Sequence, residues 1–133
     1  MVPQALLLTG TRGVGLKTTA LSIARQSTIL AFVEPSLLTK TSTIPVIGID
    51  AIRNLYTNTR SKSSTPNIVI IDDADVMTRE AQNSFLKLLE EPNSSTRFIL
   101  TSHRPELLLS TVRSRLQTLH LPSISTQASQ DLI

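Results

Sequence analysis

Short apolar runs punctuate the chain at Ala5–Thr9, Ile29–Val33, Ile68–Ile71, Phe98–Thr101 and Leu116–Leu121, each bounded by polar turn formers. They are rich in Leu, Ile and Val, the pattern of strands buried on both faces of a parallel sheet. Between them, apolar residues return at helical spacing. Thr18–Gln26 places Ala20, Ile23 and Ala24 on one face; Ile49–Asn58 does so with Ile49, Ile52 and Leu55 or Tyr56; Arg79–Glu91 does so with Ala81, Phe85, Leu88 and Leu89. This alternation predicts an α/β fold: a three-layer sandwich with a mainly parallel five-stranded sheet and right-handed crossovers. Glu34–Val46, rich in Ser, Thr and Pro, reads as a long excursion, and Thr57–Asn67 as an exposed polar loop. Residues 1–121 read as one core domain. Residues 122–133 read as a linker or the truncated start of a further helical domain.

Composition narrows this picture. With 133 residues, 40% hydrophobic and 17% charged, the chain is long enough to bury one core without covalent staples. Aromatics are only 3%, so that core must be aliphatic. The absence of cysteine excludes disulfides, thiolate zinc sites and Cys nucleophiles. A net charge of +3 permits contact with nucleic acid, but Lys and Arg are scattered singly and form no binding stripe. Ala5–Leu8 is too short for a signal-peptide core or a membrane span, and no basic leader precedes it, so the expected location is cytoplasmic, without membrane contact.

Candidate chemistry starts at "GTRGVGLKTT", Gly10–Thr19. A P-loop reads G-x-x-x-x-G-K-[ST] between a buried strand and a helix: backbone N–H groups cradle phosphate, Lys neutralises it and the hydroxyl holds Mg²⁺. Gly10 and Gly15 have that spacing, with Gly13 between them, but Leu16 follows Gly15 and the lysine arrives one residue late, as Lys17 before Thr18. Either the loop carries one extra residue and Lys17 and Thr18 keep their roles, or Leu16 has replaced the lysine. One residue is a rotation of about 100° in a helix, so an unshifted Lys17 points away from the phosphate. A second candidate is "NIVIIDDADVM", which puts Asp72 at a strand tip where a Mg²⁺-holding carboxylate belongs and Asp73 where a water-orienting Glu is common. Asp73 is one methylene shorter, and misplacing a water by about 1 Å costs about two orders of magnitude in rate. Asp72, Asp73 and Asp75 have a plainer reading as solvating a strand end and capping a helix.

The acidic strand end, the segment "NSFLKLLEEP" at Asn83–Pro92 and "TVRSRL" at Thr111–Leu116 together resemble the AAA+ clamp-loader subunits of bacterial DNA polymerase III, most of all the delta-prime type. The similarity covers nearly all of Val2–Pro122 and is strongest after Ile47. Against the loop of the ATP-hydrolysing subunits, "GTRGVG" matches, and Ala20, Ile23, Ala24 and Arg25 stay in phase without a gap, which favours replacement of the lysine. The resemblance implies a P-loop NTPase core. It implies that Thr101 is the polar sensor residue beside the γ-phosphate, and that Arg115 is the arginine of the Ser-Arg-Cys motif, reaching into a neighbouring subunit's ATP site. Leu116 stands where the family has Cys, which puts the local packing of that motif in question. Gln82, Asn83 and Lys87 become candidates for DNA contact. The zinc module common in the family needs cysteines, so no zinc is expected; a helical lid and a collar would follow the core.

The resulting expectation is a delta-prime-like clamp-loader subunit in DNA replication. It would hold ATP and Mg²⁺ weakly or not at all at a degenerate site of Gly10, Gly13, Gly15, Lys17, Thr18, Asp72, Asp73 and Thr101, and supply Arg115 in trans. Its partners would be gamma/tau-type and delta-type subunits, with the sliding clamp reached indirectly and primed DNA through the assembled complex. The alternative is a gamma/tau-like active ATPase using Lys17 and Asp72. A third reading, a DNA-binding module without an ATP-linked role, requires binding that falls steeply with salt.

Overall fold

The computed structural model describes residues 4–58, 67–90 and 96–122. Most of the polar loop expected at Thr57–Asn67, Glu91 and Pro92 after the third helix, and all but the first residue of 122–133 lie outside the described residues. Five strands form one sheet: β1 (Ala5–Thr9), β2 (Thr28–Val33), β3 (Asn67–Ile71), β4 (Thr96–Ser102) and β5 (Gln117–His120), in the order β2-β3-β4-β1-β5. Every pairing is parallel. Four helices connect them: α1 (Leu16–Ile23), α2 (Ile49–Asn58), α3 (Arg79–Glu90) and α4 (Ser110–Arg113). The five-stranded α/β architecture is the expected one.

Side chains alternate across the sheet, so one apolar run feeds two cores. Ala5 and Leu7 of β1, Val69 and Ile71 of β3, and Phe98 and Leu100 of β4 pack with Ile52 and Leu55 of α2, Phe85 and Leu88 of α3, and Val112 after α4's start. Leu6 and Leu8, Ile68 and Ile70, and Ile99 point the other way, onto Leu16, Ala20 and Ala24. Both faces of β1 and β3 are buried along their whole length, whereas β5 at the edge is exposed throughout. Phe85 and Phe98 meet edge to face, centroids 5.3 Å apart at 83°, a favoured aromatic geometry.

α1 ends sooner than the apolar spacing suggests: Ala24–Gln26 tightens into a 3₁₀ turn before β2. The excursion after β2 is closed rather than free. Ser36 and Val46 exchange two backbone hydrogen bonds of 2.9 and 3.0 Å, and buried Ile47 is pinned to the turn after β3 through Val76 and Thr78. At its tip the Thr39 and Ser42 hydroxyls lie 2.7 Å apart. No helix among the described residues is long and apolar enough to cross a membrane.

Phe85 is fully buried. Phe85→Ala should cost about 3–5 kcal/mol of stability, while Lys87→Ala on the exposed face should stay within about 0.5 kcal/mol, both read from urea unfolding midpoints.

Candidate functional site

Parallel strands deliver their carboxyl ends to one edge of the sheet, where ligands of open α/β folds bind. Here that edge gathers the Gly10–Gly15 loop after β1, the acidic turn after β3 and the residues after β4. Gly13 and Gly15 have φ of 88° and 83°, a left-handed backbone that costs other residues about 1–2 kcal/mol. At Gly10 the constraint is space: a Cβ there would sit 2.8 Å from Val14 Cγ2 and 3.1 Å from the Leu121 carbonyl oxygen. Gly15 precedes α1 directly, and its carbonyl accepts from the Thr19 N–H at 2.9 Å and the Thr19 hydroxyl at 2.8 Å. No side chain caps α1, so the N–H groups of its first turn face the loop with the positive end of the helix dipole.

The helix starts at Leu16, directly after Gly15, and Lys17 and Thr18 follow within its first turn. Leu16 is 4% exposed and packs under the helix against Leu6, Leu8 and Ile99. Lys17 leans toward β2: its ammonium lies 3.8 Å from Glu34 and 5.1 Å above the centre of the Phe32 ring. Thr18 is exposed on the outer side of α1. The position after Gly15 is thus filled by an aliphatic side chain committed to the core, while Lys17 and Thr18 of the same turn are exposed.

Across the cleft, Asp72 and Asp73 follow β3. The Thr101 hydroxyl donates to Asp72 Oδ1 at 2.7 Å and accepts from the Asp73 N–H at 2.9 Å, so β4 fixes the acidic turn through one side chain. Asp73 is the only non-glycine described residue with positive φ, at 54°, a conformation that Asp tolerates better than most. Its carboxylate is turned to His103, 3.3 Å from Nε2, while His103 Nδ1 is 3.3 Å from the Gly10 carbonyl oxygen. Both partners are acceptors when Asp73 is ionised, so the bridge requires both ring N–H donors or a proton on Asp73. Burial raises the Asp73 pKa, Asp72 and Asp75 add to the rise, and His103 and Arg12 oppose it. Asp75 itself accepts the Ser102 hydroxyl at 2.7 Å.

The sequence reading overlooked His103. A lone His carries no motif; only its place two residues beyond Thr101, where the chain leaves a strand at the ligand-binding edge, marks it.

Arg115 lies elsewhere, just past α4, with its side chain 40% exposed. Leu116 behind it is buried in the main core, so an aliphatic side chain fills the place of the family's Cys. Lys87 and Asn83 are exposed on α3, but Gln82 is 4% exposed. Its Oε1 accepts the Leu109 N–H at 2.6 Å, and its Nε2 reaches the Met77 and Leu107 carbonyls at 3.3 and 3.4 Å. The expectation of DNA contact at Gln82 is thereby corrected: helical phase turns it inward, and its amide is spent joining α3 to the segment before α4. Glu90, at the end of α3, accepts from Arg115 at 3.0 Å.

The profile of the family described as DNA polymerase III, delta subunit, matches residues 28–125. DNA polymerase III subunit delta' of Bacillus subtilis (strain 168) is 40% identical over 83 residues, covering 62% of this chain and 25% of that protein. The Escherichia coli (strain K12) delta' subunit is 39% identical over 71 residues, covering 52% of this chain and 21% of that protein. The chain thus spans a quarter or less of these relatives' length. The replication factor C small subunit of Methanosarcina mazei is 29% identical over 133 residues, covering 95% of this chain and 38% of that protein. Among solved structures, a DNA polymerase III gamma subunit-related protein of Thermotoga maritima superposes with a TM-score of 0.71 at 23% identity, over 94% of this chain and 43% of that one. A RuvB mutant of the same organism gives 0.65 at 21% identity, over 90% and 38%. These two speak for the fold, an α/β core on a five-stranded parallel sheet. With the profile running from residue 28 to residue 125, the chain belongs to the DNA polymerase III delta subunit family, its curated relatives being delta' subunits.

Proposed function

We propose that this chain is the AAA+ core of a delta'-type clamp-loader subunit that works in the cytoplasm, turns over little or no ATP itself, and offers Arg115 to ATP held by an adjacent hydrolysing subunit. The observation that carries the reading is the burial of Leu16 at the lysine position, together with the engagement of Lys17 by Glu34 and Phe32. A guanidinium is always charged, planar and forked, which suits the charge that spreads over a phosphoryl group in transfer. Partners in this reading are gamma/tau-type and delta-type subunits, with the sliding clamp and primed DNA met through the assembly. One observation favours a rival, an ATPase active in its own right: Asp72 and Thr101 keep a hydrogen bond of 2.7 Å, the arrangement a Mg²⁺-holding carboxylate and a polar sensor require.

Titration with a fluorescent ATP analogue and Mg²⁺ separates the two. The expected result is negligible binding that Lys17→Ala leaves unchanged and that Leu16→Lys improves, with urea midpoints checking that each variant folds. Tight binding abolished by Lys17→Ala would establish the rival.

For the trans role, the measurement is DNA-stimulated ATP turnover in the complex with the hydrolysing subunit. Arg115→Ala should slow the adjoining site about 10³-fold, the low end of what such arginines contribute, and leave this domain's unfolding midpoint unmoved. Parent-level turnover would remove the assignment.

The acidic turn gives a test that needs no partner. Because the Asp73 pKa is raised in the folded chain, the folded state holds that proton more firmly than the unfolded state does. Its contribution to stability is therefore fully present below the ordinary carboxylate range and is lost as pH rises through the raised value. Urea unfolding across that window should show the stability of the parent falling relative to Asp73→Asn, which cannot ionise and tolerates the same backbone conformation. A parent and variant that run parallel with pH would contradict the raised value.

A further inference from the structure

Arg115 is not a loose side chain. Its backbone N–H donates to the Val112 carbonyl at 3.1 Å, which ties it to the end of α4. Nη1 donates to the Thr111 carbonyl at 3.0 Å and Nη2 to Glu90 Oε1 at 3.0 Å. The guanidinium has five N–H donors in one rigid plane. Two acceptors on different nitrogens fix that plane and leave the other N–H groups uncommitted. Glu90 is a suitable anchor: it closes α3, whose Phe85 and Leu88 are locked in the core. Glu90 thus ties the tip of the Arg115 side chain to a helix that is anchored in the core.

We propose that Glu90 is the positioning residue for Arg115, holding the guanidinium plane so that its free edge is presented to a phosphate on the neighbouring subunit; this rests on the trans role proposed above. Stability does not account for the pair. Both side chains are 40–46% exposed, and exposed ion pairs contribute about 0–1 kcal/mol. Rate is far more sensitive, since a charge that must meet a developing phosphoryl charge loses its effect when displaced by about 1 Å. An arginine already held also loses less rotamer freedom on docking. The demand is for an acceptor oxygen at that point on α3, so glutamine should serve nearly as well as glutamate.

The experiment is single-turnover ATP hydrolysis by the complete loader complex with primed DNA, which isolates the phase that Arg115→Ala abolishes. In Glu90→Ala that phase should slow about tenfold with the KM for ATP unchanged, while Glu90→Gln should stay within about twofold of the parent. Adding Glu90→Ala to Arg115→Ala should change nothing further, because both act through one group. A phase at the parent rate in Glu90→Ala, while Arg115→Ala still abolishes it, overturns the positioning role and leaves the trans role standing. A Gln variant as slow as the Ala variant, or extra slowing in the double variant, also overturns it. If Arg115→Ala leaves every phase intact, the trans role fails and the positioning role with it.

Discussion

Burial of the central strands on both faces is the constraint from which the rest of the structure follows. β3, β4 and β1 have no polar face to offer water, so each needs a layer of helix above and below. Parallel strands can be joined only by crossovers, and their common direction brings every strand's carboxyl end to the same edge. The loop after β1, the acidic turn after β3 and the segment after β4 meet for that reason. Hydrophobic demand in the interior thus assembles a polar cleft at the rim.

The loop after β1 combines two left-handed glycines with a helix start whose first side chain, Leu16, is turned into the core. α1 is short, and its other buried residue is the small Ala20. Leu16 is the large side chain with which α1 holds that face of the sheet, and full burial of a leucine is worth about 1.5–3 kcal/mol. Leu16 therefore serves as an anchor beneath the cleft. Thr101 keeps Asp72 and the Asp73 backbone in register, and His103 lies between the acidic turn and the Gly10 carbonyl, so side chains from β4 and the segment after it link the turn to the loop.

α3 connects this unit to Arg115. Its inner face supplies Phe85 and Leu88 to the core, its buried Gln82 amide bonds both the turn after β3 and the segment leading into α4, and Glu90 at its end engages the arginine. One helix thus references the acidic turn and the arginine to a common frame. A satisfied buried amide of this kind specifies a single arrangement, because any shift leaves polar groups unpaired.

Period and chemistry made much of this legible from the residues. Short apolar runs marked all five strands, a repeat of 3.6 marked α2 and α3, and the spacing of Gly10 and Gly15 marked the loop before α1. Those signals are local, carried by residues within one turn or one strand. Gln82 read as a surface residue because amides usually are; only the packing of α3 on the segment before α4 turned it inward. His103 and Glu90 carried no signal, since their partners Gly10 and Arg115 lie 93 and 25 residues away. Sequence alone determined the strands, the first three helices and the absence of a lysine directly after Gly15, because these depend on neighbours along the chain. Only the tertiary structure decided which polar groups pair across the cleft and what holds Arg115, because those contacts exist only once the sheet has brought distant segments together.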